Sequence, residues 1–478
     1  MTQTETSLVP LEISPEPATE TLTAYGGLPL VVQTMKTLGV LQSITQHVQV
    51  KERERGFTEA EMVTSLVALM CVGGDCVDDL RRLKADPGVE TMLGHAVPAP
   101  ETARKFLNRF HQDAAIEEAK QRRKPEQIAY IPLETAPLEG LGRVGNELLR
   151  NLGRRVPQQK IATVDQDATI QQSKKKEALP TYEGGRGYQP MVAVWAEMNV
   201  TLADEFRDGN VPARMEPLLV AQRAFAALPE TVEEYYYRAD SASYNWPLLA
   251  WLRDPKRVQG PAGPIGFAIS AEMHAPLREA IVALSEASWT PYRPPGQKVD
   301  EYKDWAEVDY VPTEPNESKS SEPLRYLAIR IRPRQGELFA DGATVKYFAV
   351  VSNRWDLGGA KLLQWHREKA GTIEMVHDIF KNELGGGVLP SGRFGANAAW
   401  LRIVLLAHNV LVALKYIALP PELLPARPKR LRFELLVQVG RLVHHARHWV
   451  LRLASSLERV TCYVAAWQLL RAPAPAPS

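Results

Sequence analysis

The spacing of apolar residues changes near residue 160, and this change constrains the fold more than any other feature of the sequence. In residues 27–125 apolar side chains recur at helical spacing, whereas residues 160–169 alternate in the manner of a strand. That strand ends in two carboxylates, Asp165 and Asp167, which lie on the same face. The sequence therefore predicts a helical N-terminal region followed by an α/β region.

The order of the elements after residue 169 narrows the fold further. The sequence predicts strands at 188–197 and 200–207, a helix at 215–228, a strand at 235–239 and a short helix that begins at Pro247. This is the order of the ribonuclease-H-like fold, in which the first and fourth strands are parallel neighbours joined by a crossover. We therefore expect Asp167 and Asp240 to meet at the carboxyl ends of adjacent strands.

The chain is long for a single hydrophobic core, since it has 478 residues. We expect a disordered segment at 1–20, a helical domain at 21–155, a ribonuclease-H-like domain at 156–420 and a basic helical tail at 421–478. Within the ribonuclease-H-like domain, residues 260–340 are rich in short strands and turn formers and predict a β-rich insertion.

Charge is distributed unevenly, although the formal net charge is only +1. Residues 421–471 hold nine Lys and Arg against three acids, so phosphate contacts are expected there. Arg441, His445, His448 and Arg452 fall at spacings that would place them on one face of a helix. A basic face toward DNA or solvent is favoured there over a metal site.

Several classes of protein are disfavoured by composition. Three cysteines in so long a chain do not predict a disulfide scaffold, and Cys71 and Cys76 lack the second pair of a zinc site. The apolar stretch at 398–419 contains Arg402 and Lys415, which favours a buried helix over a membrane span. We expect a cytoplasmic, nucleoid-associated protein with no membrane partner.

A third acid is found on a predicted helix at 368–384. Glu374, Asp378 and Lys381 share one edge of this helix, beside an apolar face that could pack on the sheet. The helix could thus aim Glu374 at the two aspartates and Lys381 at a phosphate. A solvated edge is the alternative, and helical spacing alone favours that alternative.

Three segments resemble those of bacterial insertion-sequence transposases, most closely the family numbered thirteen-eighty. They are residues 163–169, residues 238–244 (Arg-Ala-Asp-Ser-Ala-Ser-Tyr) and residues 366–374 followed by 381–384. The resemblance implies a DDE enzyme whose catalytic and metal-binding acids are Asp167, Asp240 and Glu374, with Lys381 contacting phosphate. It also implies Mg²⁺, for which Mn²⁺ can substitute, because clustered carboxylates suit hard divalent cations and two such ions serve phosphodiester cleavage.

The third segment departs from the family signature Tyr-x2-Arg-x3-Glu-x6-Lys. The signature Arg falls on Ala370 and the signature Tyr on Arg367. Phosphate contacts made by that pair are therefore lost, or pass to Arg367 and Lys369. The first acid is also ambiguous: we favour Asp167, with Asp165 as a further metal ligand or an acid behind the ligands.

The resemblance implies cut-and-paste transposition, in which the helical domain at 21–155 binds DNA and the ribonuclease-H-like domain at 156–420 is catalytic. Such an enzyme binds double-stranded DNA at the terminal inverted repeats of its element, cleaves it and joins the ends to target DNA, as a homodimer. One alternative is a catalytically inactive DNA-binding protein derived from a transposase, and another is a stand-alone nuclease of the same fold.

Overall fold

The N-terminal third of the chain is helical, as the apolar spacing predicts. The computed structural model describes residues 14, 16, 20–51, 53, 55–293, 301–312, 323–333 and 338–474; the segment predicted to be disordered lies almost entirely outside them. After a short strand β1 (Leu22–Thr23) come α1 (Leu28–Thr37), α2 (Val40–His47), α3 (Glu59–Val72), α4 (Leu80–Ala85), α5 (Val89–Leu93), α6 (Pro100–Asn108), α7 (Asp113–Arg122) and α8 (Ala136–Arg155).

Local sequence sets the ends of α3, the most buried helix of this group. The Thr58 hydroxyl accepts a hydrogen bond from the backbone N–H of Glu61 (3.1 Å), and the Glu61 carboxylate accepts one from the Thr58 N–H (2.7 Å). The helix ends at Gly73, whose φ of 103° favours glycine. Between these caps nearly every side chain is buried, so α3 serves as core rather than as an exposed DNA-reading face.

The α/β region is built on one large mixed sheet. The strands along the chain are β2 (Ile161–Ala168), β3 (Gln171–Gln172), β4 (Leu179–Pro180), β5 (Arg186–Tyr188), β6 (Met191–Trp195), β7 (Val200–Glu205), β8 (Glu234–Ala239), β9 (Gly266–Ser270), β10 (Thr290–Pro291), β11 (Glu301–Val308), β12 (Arg325–Pro333) and β13 (Lys346–Ser352). Among the described residues the large sheet has nine strands in the order β10-β11-β12-β13-β9-β8-β2-β6-β7.

The expected pairing of the first and fourth strands is confirmed. Strands β2 and β8 are hydrogen-bonded in parallel, with Asp165 opposite Arg238 and Gln166 opposite Ala239. Asp167 and Asp240 are the next residues of their segments, so both acids emerge at the same edge of the sheet. Strand β2 is buried on both faces along most of its length, as befits a central strand covered by helices.

The β-rich region at 260–340 extends the main sheet. Strand β9 pairs in parallel with β8, and β13 pairs antiparallel with β9, so the hydrogen-bond ladder continues through β12 and β11. Strands β12 and β13 pair antiparallel, from Arg325 opposite Ser352 to Ile331 opposite Lys346. Strand β11 was missed, since its charged sequence in a Pro-rich stretch gives little strand signal.

Helices from the second half of the chain cover this sheet and join it to the N-terminal helices. They are α9 (Pro217–Ala227), α10 (Trp246–Arg253), α11 (Ala275–Val282), α12 (Gly359–Arg367), α13 (Lys369–Asn382), α14 (Phe394–Ala418), α15 (Pro428–Leu431) and α16 (Leu457–Arg471). Helix α14 contacts α3, α6, α8, α16 and β7. It is long and apolar enough to cross a membrane, but 83% of its most apolar stretch is buried inside the protein, which agrees with the expected buried helix.

The prediction of a helical C-terminal tail is wrong for residues 440–453. They form an antiparallel hairpin of β14 (Gly440–His445) and β15 (His448–Leu453), to which β1 adds a third strand. Arg441, His445, His448 and Arg452 do share one face, but as two cross-strand pairs. The spacing of these four residues predicts a helix, but a hairpin with a two-residue turn also brings the same four positions to one face.

A buried charge network fixes α14 to the sheet and to the start of α8. The Arg402 guanidinium donates to both carboxylate oxygens of Asp204 (2.9 and 3.0 Å) and of Glu134 (2.8 and 3.0 Å). Glu134 also accepts a hydrogen bond from Arg223 (2.6 Å). Burial acts to raise the pKa of Glu134, but Arg402 and Arg223 outweigh it and lower that pKa from 4.5 to about 2. The stability that Glu134 contributes is therefore present above pH 4.5 and is lost as the pH falls toward 2.

Replacing Arg402 by alanine should lower the free energy of unfolding by about 3–5 kcal/mol, because the buried Asp204 carboxylate loses its partner and Glu134 keeps only Arg223. Arg143→Ala is the control, since Arg143 pairs with Glu139 (3.2 Å) on an exposed helix face and should cost less than about 1 kcal/mol. Denaturant unfolding of the three proteins measures both values. Equal losses in the two variants would contradict a structural role for the network.

Candidate active site

The structure brings Asp167 and Asp240 to one edge of the sheet. One Asp167 oxygen accepts the backbone N–H of Ala168 (2.8 Å), and one Asp240 oxygen accepts the N–H of Ala242 (3.0 Å). Burial raises the pKa of Asp167 to about 6, and the nearby Asp240 carboxylate adds to that rise. Lys369, whose Nζ lies 3.5 Å from Asp167 Oδ2, acts in the opposite direction. The pair thus carries negative charge that is only partly balanced.

Asp165 is engaged in a buried ion pair. Its two oxygens accept hydrogen bonds from Nε (2.7 Å) and Nη2 (2.9 Å) of Arg238, which lies opposite it on β8. The Thr372 hydroxyl on α13 donates to the same carboxylate. Asp165 and Arg238 are 0% and 2% exposed. Because both oxygens of Asp165 are held in this way, the structure favours the alternative role for Asp165, an acid behind the ligands, over that of a metal ligand.

The Arg238 guanidinium also reaches the junction of α12 and α13. Its Nη1 donates to the carbonyl oxygen of Trp365 (2.6 Å) and to Glu368 (3.2 Å). Beside it, Nε2 of His366 bonds the carbonyl oxygen of Ala239 (3.1 Å). Burial lowers the pKa of His366 to about 4, so the ring is neutral near pH 7 and Nε2 donates its proton in this bond. These bonds hold the junction of α12 and α13, the helix that bears Glu374, against β8, the strand that Asp240 follows.

Glu374 lies on α13 with its side chain exposed. It lines a cavity of about 480 Å³ together with Asp240, Arg367 and Lys369. The far wall of this cavity comes from the sheet extension and includes Tyr292 of the β10 end and Tyr347 of β13. Glu374 and Asp240 therefore open on the same space, and the extension forms one side of it.

The three predicted phosphate contacts occupy different environments. Arg367 is exposed and forms no ion pair within the described part of the chain. Lys369 is buried against Asp167, whereas Lys381 donates to the Thr169 hydroxyl. Burial lowers the pKa of Lys381, and Glu183 and Asp167 act against that shift. Arg367 alone is open to an incoming phosphate in this conformation.

Sequence reasoning missed the residues that hold the acids in place: Arg238, His366 and Thr372. Arg238 precedes Asp240 by two residues and was noted only as part of a motif. Its position in register with Asp165 on a parallel neighbour could have suggested the ion pair, because opposite charges on adjacent strands attract. No local signal identifies His366 or Thr372, whose partners are distant in sequence.

The carboxylates suit a divalent cation by their chemistry. Asp167 and Asp240 repel each other, one oxygen of each is held by a backbone N–H, and carboxylate oxygens are hard ligands. Within the described residues, however, no group of three or more His, Cys, Asp or Glu side chains is arranged to hold a metal ion. Carboxylate oxygens are ligands of the type that Mg²⁺ prefers, but Asp167, Asp240 and Glu374 do not form one cluster in this structure.

Comparison with known proteins identifies the family. The model described as Transposase DDE domain group 1 matches residues 12–474. The chain belongs to this transposase family. Members of a DDE transposase family act in DNA transposition and in general depend on divalent metal ions.

Other comparisons add little to the family assignment. None of the curated proteins matches this transposase chain. Among solved structures it is similar to a piggyBac transposase, in a cryo-EM structure of the synaptic complex with hairpin DNA. The identity is 9% and the TM-score 0.40, over 81% of this chain and 75% of that chain. A likeness this distant carries no information about the site.

Asp167→Asn should stabilise the metal-free transposase at high pH. Because burial raises the pKa of Asp167 from 3.8 to about 6, the fold favours the protonated acid; that stabilisation is complete below pH 3.8 and is lost as the pH rises through 6. The variant should gain roughly 3 kcal/mol over wild type at pH 8 and much less at pH 4. Unfolding of both proteins in a metal chelator across this pH range measures the difference.

If the variant gained the same free energy of unfolding at every pH, the ionised Asp167 carboxylate would not be the group that destabilises the fold. Asp254→Asn, at the C-cap of α10, is the matched control for the loss of one carboxylate.

Proposed function

We propose that the chain is a cut-and-paste DNA transposase with a ribonuclease-H-like core, in which Asp167, Asp240 and Glu374 form the catalytic triad. Its substrates would be the terminal inverted repeats of an insertion sequence, of a type like the family numbered thirteen-eighty, and a target duplex. The observation that carries the proposal is the meeting of Asp167 and Asp240 at the ends of parallel neighbouring strands, beside the helix that bears Glu374.

The three acids would hold Mg²⁺ or Mn²⁺, with Asp167 and Asp240 as the central ligands and Glu374 reaching in from α13. Such metal ions, when bound, activate a water or a 3′ hydroxyl and neutralise charge on the phosphate. Lys369, which pairs with Asp167 in this structure, would be free to contact the DNA when the acids hold a metal. Asp165 keeps its ion pair with Arg238 throughout, so we assign it a positioning role and not that of a ligand.

The cations around the acids would orient the phosphodiester. Arg367 is the exposed cation that lines the cavity with Asp240 and Glu374. We assign it a phosphate contact, which offsets the loss of the signature Arg at Ala370. Lys381 lies beside Thr169, directly after the first acid strand, and would contact the same backbone. Two element ends are expected to be held by a homodimer.

A catalytically inactive DNA-binding relic is the second candidate, but no observation favours it, since the acid residues of all three motifs are present. The two candidates differ in cleavage and not in binding. Labelled DNA that carries the repeats flanking the gene should be nicked at the repeat ends by wild type with Mg²⁺.

Asp240→Asn and Glu374→Gln should each abolish this cleavage, with rates falling at least about 1000-fold, while DNA affinity persists, because the acids hold metal and do not bind the duplex. Glu279→Gln, a change at an exposed acid of α11, is the control and should leave the rate unaltered. Binding without cleavage in wild type would favour the relic. Cleavage that survives Glu374→Gln would leave the third acid to another residue.

Arg238→Lys should lower the cleavage rate about 10–100-fold without changing DNA affinity, because a lysine keeps the charge but cannot bridge Asp165 and the Trp365 carbonyl together. Arg354→Lys is the matched control: Arg354 also lies over the Trp365 ring (5.0 Å) but pairs with Asp356 and has no hydrogen bond to Asp165. Single-turnover cleavage with a titration of Mg²⁺ is the measurement. Equal effects in the two variants would mean that Arg238 acts only through general packing.

A further inference from the structure

We propose that the C-terminal hairpin, formed by β14 and β15, is a DNA-binding ribbon that contacts the phosphate backbone and fits a duplex groove. This inference rests on the proposed function, since it presumes a DNA substrate, and it adds a second contact away from the acids. From here residues 440–453 are called the ribbon.

The charge of this region has one sign. Residues 435–457 contain three arginines, three histidines and no acidic residue. Arg441, Arg447 and Arg452 are exposed, and none forms an ion pair in the part of the chain that the structure describes. Elsewhere in the fold the buried arginines Arg238 and Arg402 have carboxylate partners. A set of unpaired guanidiniums of this kind attracts a polyanion.

The pairing of the strands concentrates this charge on one face. Arg441 lies directly opposite Arg452, and His445 opposite His448. Like charges at paired positions repel each other and destabilise a hairpin. A phosphate between or beside the two arginines would turn this repulsion into attraction, which makes an anionic partner fit the face better than a neutral one.

The shape of the ribbon suits a duplex. Strand β1 pairs with Gly440 and Arg441, and Leu442 beside them is buried, so the hairpin extends beyond the third strand as a two-stranded ribbon from Val443 to Val450. A B-DNA major groove about 12 Å wide accepts a ribbon whose strands lie about 5 Å apart. On its other face Trp449 is 50% exposed and stacks edge-on against His444 (4.9 Å). Such a ring can lie against sugars or bases once the phosphates hold the ribbon.

The base of the ribbon is tied to the helix that bears Glu374. Arg427, ahead of the ribbon, donates to Glu383 at the end of α13 (2.6 Å) and pairs with Asp378. Arg432 bonds the backbone of α3 at Met70 (2.7 Å) and of Glu383. Glu383 is nine residues beyond Glu374, which is about 14 Å of helix. The segment that leads into the ribbon is therefore anchored to the helix that bears Glu374, which favours one duplex that reaches both the acids and the ribbon.

A second copy of this chain is the competing occupant, because Trp449, Val437 and Val439 are exposed. Charge argues against a second copy on the arginine face, since two such faces would bring Arg441 and Arg452 of one copy against those of the other. The two occupants also differ in their dependence on salt, since release of counterions from DNA weakens binding steeply as salt rises.

The test compares wild type with the triple variant Arg441→Gln, Arg447→Gln, Arg452→Gln. The control triple is Lys36→Gln, Arg150→Gln, Arg278→Gln, which removes the same charge from exposed side chains without ion pairs in the described structure. The full-length proteins are titrated with duplexes that carry or lack the flanking repeats, over a range of NaCl. The ribbon triple should lower the slope of log affinity against log salt by about 1–3, and the control triple should not. Sedimentation reports the oligomeric state of each protein.

An unchanged slope in the ribbon triple, with wild type binding and cleaving normally, would overturn the ribbon and leave the proposed function intact. An unchanged slope with a shifted monomer–dimer equilibrium would assign the face to a second copy instead. If wild type binds no duplex at all, the ribbon and the proposed function fail together. Circular dichroism and the DNA-cleavage activity of the triple variant, whose catalytic acids are unchanged, distinguish misfolding from a true loss of the contact between ribbon and DNA.

Discussion

The site depends on one buried ion pair between adjacent strands, that of Asp165 and Arg238. The Arg238 guanidinium donates through Nε and Nη2 to the Asp165 carboxylate on β2, and its Nη1 donates to the Trp365 carbonyl oxygen near the junction of α12 and α13. Two strands and the helix of the third acid are thus held by one planar group. A buried pair gains little net stability over apolar residues but is costly to break, so its main effect is to specify one arrangement.

The periodicity of apolar residues predicted much of the fold, and the incorrect helix prediction for residues 440–453 shows where this signal stops being sufficient. The alternation of β2 and the position of Asp240 after an aromatic strand predicted the parallel pair. Residues 440–453 satisfied helical spacing and lacked the Gly or Asn of a typical hairpin turn; the turn instead uses Ala446 at a φ of 54°. Local spacing could not separate helix from hairpin there, because the decisive contacts are with β1, far away in sequence.

The candidate acids were found from motifs, whereas their support was not. Asp167, Asp240 and Glu374 stand in recognisable segments, yet Asp165 came out as a partner of Arg238 and Lys369 as a partner of Asp167. Asp165 and Asp167 are only two residues apart, and the partner of each is set by the side chains that β8 and α13 bring next to it. Such tertiary facts lie beyond any single-sequence pattern. The raised pKa of Asp167 follows from the same crowding, as is common where chemistry is done.

The continuous ladder from β8 through β9 to β13 has a mechanical consequence. Tyr347, which lines the cavity, lies on β13, and β13 belongs to the same sheet as β8, the strand that Asp240 directly follows. Backbone ladders resist shear and separation, so this wall cannot swing like a hinged lid without breaking sheet pairing. Adjustment to a bulky substrate must therefore come from side-chain rotation or from the helical side of the cleft, where Glu374 lies.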